Sequence, residues 1–343
     1  MHILVTGAAG MIGRKLVNRM VAEGAIGTHP LTALTLTDIV APLPPAGFTG
    51  RVVTREADLS VPGEAEHCLA GRPDIIVHLA AIVSGEAEAD LEKGYRVNLD
   101  GTRLLFDAIR RIGDGYKPRV VFTSSVAAYG PPFPALVPDD FRTTPTTSYG
   151  AQKVMGEALL SDYSRRGLMD GIAIRLPTIC IRPGKPNKAA SGFFSGILRE
   201  PLIGQEAILP VGEEVRCWVA SPRAAVGFLM HAATADLAPL GARRALMMPG
   251  LSVAVGEQIA ALRRAAGENA VKLIRREPNP TIAAIVSGWA VAFDPQRALA
   301  LGFRAESSFD EIVRVHVEDE LGGNVGQGRG GQGSALDPLK AEP

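Results

Sequence analysis

Two hydrophobic periods alternate along the first half of the chain. Short continuous runs of Ile, Val and Leu read as strands at residues 2–6, 33–37, 51–56, 74–79, 120–123 and 172–176. Between them lie stretches with helical spacing, at 11–23, 90–111 and 148–166. The first of these sets Ile12, Leu16, Val17 and Met20 on one face. Strands apolar on both faces, separated by amphipathic helices, predict an α/β fold: a doubly wound parallel sheet of Rossmann type. After Pro177 the pattern loosens. Residues 181–215 are rich in Pro, Gly and Lys and are expected to cover substrate rather than to form core. Helices are expected at 256–266, 281–289 and 294–301. From Gly322 the sequence is low in complexity and has nothing to bury, so 322–343 is expected to be a disordered tail.

Composition narrows the class. The chain is 46% hydrophobic and 21% charged, with 36 basic and 36 acidic residues, so no net field draws it to nucleic acid or to an anionic membrane. Cys68, Cys180 and Cys217 are odd in number and widely spaced, without a CxxC pair. That spacing predicts neither a disulfide framework nor a metal site, and it suits a reducing, cytoplasmic setting. No apolar run approaches the roughly 20 residues of a membrane helix, and no secretory pattern opens the chain.

The first strand runs into Gly7-Ala-Ala-Gly10-Met11-Ile12-Gly13 at the start of a helix. A tight strand-to-helix turn needs residues without Cβ, and so does close approach of backbone to a pyrophosphate. The free amides at the helix start then offer donors and partial positive charge. Asp38, ending the second strand, suits the diol of an adenosine ribose and would repel a 2′-phosphate, which favours NAD over NADP. Asp58 and Leu59 follow the third strand, near the expected adenine. Leu79 and Ala80 close the fourth beside the cofactor, and His78 reads as a packed structural histidine.

Tyr149 and Lys153 stand four apart on a predicted helix and so share a face. A phenol ionises near pH 10, and bringing it to neutrality takes roughly 4 kcal/mol at about 1.4 per unit. An ammonium one turn away is a suitable source. Ser125 ends the strand VVFTSS, where its hydroxyl can hold the oxygen that Tyr149 deprotonates; Ser124 is the competing choice.

Together GAAGMIG, HLAA, Asn98 in VNLDGT, FTSSVAAYG, YGAQK and FDPQRALALGF resemble the extended short-chain dehydrogenase/reductase family, which includes the sugar-nucleotide epimerases and dehydratases. The likeness covers roughly residues 1–320. It implies a catalytic Ser125, Tyr149 and Lys153, because the family's serine is followed by three residues and then Tyr-Gly, here Tyr129-Gly130. It also implies that Asn98 supports the site and that Leu176, Pro177 and Thr178 line the nicotinamide pocket. The expected division is a cofactor domain of 1–178 plus roughly 216–245, and a smaller substrate domain of roughly 179–215 and 246–321. Family habit implies a homodimer paired through the helices at 90–111 and 148–166.

The departures concern substrate. RLPTICIRPGKPN replaces the usual run after the sixth strand, and RCWVASPR keeps an arginine but lacks the acids typical of nucleotide-sugar enzymes. These segments look like the D-erythronate dehydrogenase subgroup, which implies NAD-linked oxidation of a small sugar acid at its C2 hydroxyl. Arg182, Lys185, Asn187, Lys188 and Arg216 are available to anchor such an anion, since an arginine can grip a carboxylate through two parallel hydrogen bonds. The competing readings are a sugar-nucleotide epimerase or dehydratase and a non-catalytic dinucleotide sensor.

Overall fold

The computed structural model describes residues 1–184 and 190–325. Asn187, Lys185 and Lys188 lie outside the described residues, as does most of the low-complexity stretch (326–343). The strands that position the site are β1 (His2–Thr6), β2 (Ala33–Asp38), β3 (Arg51–Glu56), β4 (Ile75–His78), β5 (Arg119–Ser125), β6 (Asp170–Leu176), β7 (Thr178–Ile179), β8 (Arg216–Ala220), β9 (Ala245–Met247) and β10 (Leu251–Ala254). The helices are α1 (Met11–Glu23), α2 (Gly101–Ile112), α3 (Ser148–Arg165), α4 (Gly192–Leu202), α5 (Pro222–Thr234), α6 (Val255–Val271) and α7 (Phe309–Leu321).

Seven strands form one parallel sheet in the order β9-β6-β5-β4-β1-β2-β3. The central strands are apolar on both faces because helices cover both. Leu16, Val17 and Met20 of α1 pack with Phe228 and Leu229 of α5 on one side. Leu105, Phe106 and Ile109 of α2 pack with Leu160 of α3 on the other. The edge strand β3 is largely exposed and carries Arg51, Arg55 and Glu56, charges that discourage pairing with another chain.

In this register the strand ends meet. Thr6 lies beside Thr37 and His78, His78 beside Phe122, and Ser125 beside Leu176. Strand order reverses at β1, with β2 on one side and β4 on the other. Ligands of such sheets bind at the carboxyl ends of the strands beside a switch point of this kind.

Two expectations are corrected. The segment 181–215 is not merely a covering loop, because it contains α4, which buries Phe194, Ile197, Leu198 and Leu202 completely. These pack with Ile259 and Leu262 of α6 and Ile312 and Val313 of α7 in a core of their own. Their helical stripe was masked by the Pro, Gly and Lys residues around it. The stretch 90–111 is not one regular helix either. It runs as Leu91–Gly94, a π-helical turn at Tyr95–Asp100, and then α2. A small three-stranded sheet, β7-β8-β10, leads the chain from β6 into this second core. Among the described residues no helix is long and apolar enough to cross a membrane.

Because Phe194 is fully buried, Phe194→Ala should destabilise the protein by roughly 3–5 kcal/mol. Ile208→Ala, at a position 55% exposed, should stay within about 0.5 kcal/mol. Denaturant unfolding of both variants checks this; equal losses would mean that α4 is not core.

Candidate functional site

The glycine turn is built by close packing. Gly7 has φ +71, and a Cβ there would come within 2.8 Å of the Ala80 nitrogen and 2.9 Å of the Leu79 carbonyl carbon. A Cβ at Gly13 would overlap the Gly7 carbonyl oxygen. The first turn of α1 has no acidic residue, and its N-cap, Gly10, brings no side-chain acceptor. The amides around Met11, Ile12 and Gly13 therefore begin the helix without a protein anion, an arrangement that suits a phosphate. Asp38 closes the turn from the β2 end, one carboxylate oxygen accepting from the Ala9 N–H at 2.9 Å and the other from the Ile39 N–H at 2.7 Å. Each oxygen retains a further lone pair for a ribose hydroxyl. The residues present thus fit a dinucleotide. Asp58 is engaged elsewhere, accepting from the Ser60 N–H and hydroxyl and from Arg96 at 2.8 Å. Leu59 is buried in the sheet core.

Helix α3 starts where Thr147 caps it, its hydroxyl oxygen accepting from the Gly150 N–H at 3.1 Å. Tyr149 therefore falls in the first turn, with Lys153 one turn on. A Cβ at Gly150 would overlap the Ala127 carbonyl oxygen, so this glycine lets the helix start lie against the turn that follows Ser125. Ser125 Oγ accepts from the Ala127 N–H at 3.1 Å, which leaves its own proton to donate towards the Tyr149 side. Burial pushes the Tyr149 phenol up to about 12, and the Ser125 contact works against the rise. Lys153 is 3% exposed, with its Nζ 5.5 Å from the Tyr149 ring centre and 5.0 Å from that of Phe122. Burial pushes the ammonium down to about 8, and Glu157 opposes the fall. Lys153 thus stands one helical turn from Tyr149, with its ammonium over the phenol ring.

Ser124 faces elsewhere. It shares a strand face with Phe122, and its hydroxyl donates to Glu157 at 2.5 Å. His78 is packed between two threonines. Thr102 donates to the Asn98 carbonyl, so it receives the Nε2–H of His78, and Nδ1 accepts from Thr6 at 2.7 Å. Burial, with Lys153 nearby, pushes His78 down to about 3, so it stays neutral. Asn98 sits in the π-helical turn. Its amide clamps the backbone of Ile82 at both N–H and C=O, and it donates to Gln152 Oε1 at 2.7 Å. This holds the strand-end segment that includes Leu79 and Ala80.

The residues expected near substrate divide. Leu176, Pro177 and Thr178 continue from the partner position of Ser125. Arg216 is occupied, contacting Glu257 at 3.0 Å and donating to the Ser252 carbonyl at 2.8 Å. Arg182 donates to the Ser191 hydroxyl at 2.7 Å and meets no carboxylate among the described residues. Its backbone is pinned by Ser195 at 3.0 Å and by Arg199 at 2.8 Å.

Sequence reasoning missed the groups behind the site. Glu157 accepts from Arg175 Nε at 2.8 Å and Nη2 at 2.6 Å, and Arg175 Nη1 donates to the Tyr129 hydroxyl at 2.6 Å. The available signal was the spacing: Glu157 follows Lys153 by one helical turn, and an arginine stands in an otherwise apolar strand.

The model of the NAD dependent epimerase/dehydratase family matches residues 3–239. A D-erythronate dehydrogenase of Cupriavidus necator is 46% identical over 93% of this chain and 98% of its own length. A D-erythronate dehydrogenase of Haemophilus influenzae is 39% identical over 94% of this chain and all of its own. A crystal structure described as a nucleoside-diphosphate-sugar epimerase from Agrobacterium tumefaciens superposes with a TM-score of 0.93 at 65% identity, covering 94% of this chain and 95% of that one. The dinucleotide-fitting turn, the seven-stranded parallel sheet and these likenesses agree: the chain is an oxidoreductase that uses NAD and belongs to the NAD dependent epimerase/dehydratase family.

Proposed function

We propose that this enzyme oxidises the C2 hydroxyl of a small sugar acid, D-erythronate before others, to the 2-oxo acid. The observation that carries the reading is the convergence of Ser125, Tyr149 and Lys153 at the carboxyl edge of the sheet, beside an uncapped glycine turn. Two relatives that match nearly the whole chain and are named for this activity support the choice of substrate.

Ser125 donates to the substrate oxygen and holds it against Tyr149. Tyr149, as phenolate, accepts the C2 hydroxyl proton. Lys153 keeps its ammonium one turn away, so that the phenolate is tolerated in a buried place. NAD supplies the acceptor for the C2 hydride. Gly7, Gly10 and Gly13 make room for the pyrophosphate, and Asp38 and Asn98 hold the ribose end and the strand-end segment in place. Arg182 is the anchor for the substrate carboxylate, because among the described residues its guanidinium has a hydroxyl partner but no acid, whereas Arg216 is already paired.

A second reading has a specific observation behind it, since the 65% identical structure is described as a nucleoside-diphosphate-sugar epimerase. The stretch Arg216-Cys217-Trp218 weighs against it. It lacks the acids that nucleotide-sugar enzymes carry there, and its arginine is held by Glu257.

With NAD and D-erythronate, NADH should accumulate steadily. Conversion of a UDP- or dTDP-sugar without NADH formation, and silence on every acid, would transfer the protein to the epimerase reading. Tyr149→Phe should lower kcat by roughly 100-fold or more while leaving NAD affinity intact in a binding titration. Arg182→Gln should raise KM for the acid by about tenfold or more, as expected for the loss of a charge-assisted contact, with KM for NAD unchanged. An unaltered acid KM would remove Arg182 as the anchor.

A further inference from the structure

Glu157 and Arg175 form an ion pair deep in the protein, at 5% and 9% exposure. Buried charges persist only when paired and hydrogen-bonded, and an apolar pair of similar volume would often serve stability as well. A purely structural role therefore explains the pair poorly. Its position suggests another. The carboxylate lies between α3, β5 and β6, accepting from Ser124 next to Ser125 and from Arg175 next to Leu176. It is also one helical turn from Lys153.

We infer that the Glu157–Arg175 pair is a positioning device for the reaction centre: bonded to Ser124 and to Arg175, the Glu157 carboxylate fixes α3 against β5 and β6 and is held one helical turn from the Lys153 ammonium. The inference rests on the reading that Tyr149 and Lys153 carry the reaction.

The groups facing Lys153 can be named element by element. On its own helix are Tyr149 and Glu157. From β4 comes His78, neutral and therefore no counterion. From β5 comes the Phe122 ring. From β6, Arg175 stands on the far side of Glu157. Among these, Glu157 is the carboxylate that favours the ammonium. Burial favours the neutral amine, and Glu157 opposes it. A lysine that lost its proton more readily would stop stabilising the phenolate in the range where the enzyme has to work. Arg175 reaches further, donating to Tyr129, whose ring centre is 5.2 Å from that of Phe293. The pair thus ties α3 to the aromatic cluster around Tyr129, after β5.

The test reads Lys153 directly. In protein labelled selectively at lysine, the Lys153 resonance is assigned by its absence in Lys153→Met and titrated with pH. The double variant Glu157→Gln/Arg175→Gln retains amide hydrogen bonds and removes both charges. In it the Lys153 midpoint should fall on the order of one pH unit, and kcat/KM for the acid should fall roughly tenfold. Glu157→Asp keeps the charge and should leave the midpoint close to that of the unmodified enzyme. If the double variant does not fold, Glu157→Gln carries the same expectation. An unmoved midpoint in a folded variant lacking the carboxylate overturns the inference, as does an equal fall in Glu157→Asp. Normal turnover by Tyr149→Phe would instead overturn the proposed function, whatever Lys153 does.

Discussion

Helix α3 lies so close to strand β5 and the turn after it that two of its residues have to be glycine. A Cβ at Gly150 would overlap the Ala127 carbonyl, and one at Gly156 would come within 2.6 Å of the Phe122 ring. This approach brings the Tyr149 phenol to Ser125 and Lys153 over the same aromatic ring. Lys153 is buried by it, so that its charge is felt strongly by its neighbours. With a larger residue at either glycine, the helix would have to lift, and the serine, the tyrosine and the lysine would no longer lie together.

Burial has a consequence for the two ionisable groups there. The phenol is driven towards its neutral form and the ammonium towards its neutral form, in opposite directions on the pH scale. Neither trend favours a phenolate beside an ammonium. The charged and polar groups follow one another: Arg175 is paired with Glu157, Glu157 stands one helical turn from Lys153, and the Lys153 ammonium lies 5.5 Å from the Tyr149 ring centre. His78 lies beside this chain but does not join it, because its two nitrogens are committed to Thr6 and Thr102.

The cofactor side obeys a steric rule more than an electrostatic one. Gly7 permits β4 to approach β1 at the turn, Gly13 permits α1 to fold back over it, and Asp38 ties the turn to the end of β2. The same parallel register that aligns these strand ends aligns Ser125 with Leu176, so the glycine turn and Ser125 lie at one edge of one sheet.

Much of this was legible in the order of residues alone. Alternating apolar runs and amphipathic stretches required a covered parallel sheet, because strands apolar on both faces have nowhere else to go. The glycine spacing after β1, Asp38 at the end of β2 and the one-turn offset of Tyr149 and Lys153 are local properties, and local geometry makes them readable. Helix α4 escaped notice because its buried stripe is set among Pro, Gly and Lys, and the π-helical turn around Asn98 leaves no periodic trace of its own. Contacts between distant segments could not be read in advance. The partners of Arg216 and Arg182, the clamp of Asn98 on Ile82, and the meeting of Ser124, Glu157, Arg175 and Tyr129 join residues far apart in the chain. Sequence by itself determined which chemical groups the protein owns and which secondary structures carry them. Only the tertiary structure decided which charges are paired, which are buried and which remain for a ligand, because those depend on neighbours that packing, not chain order, brings together.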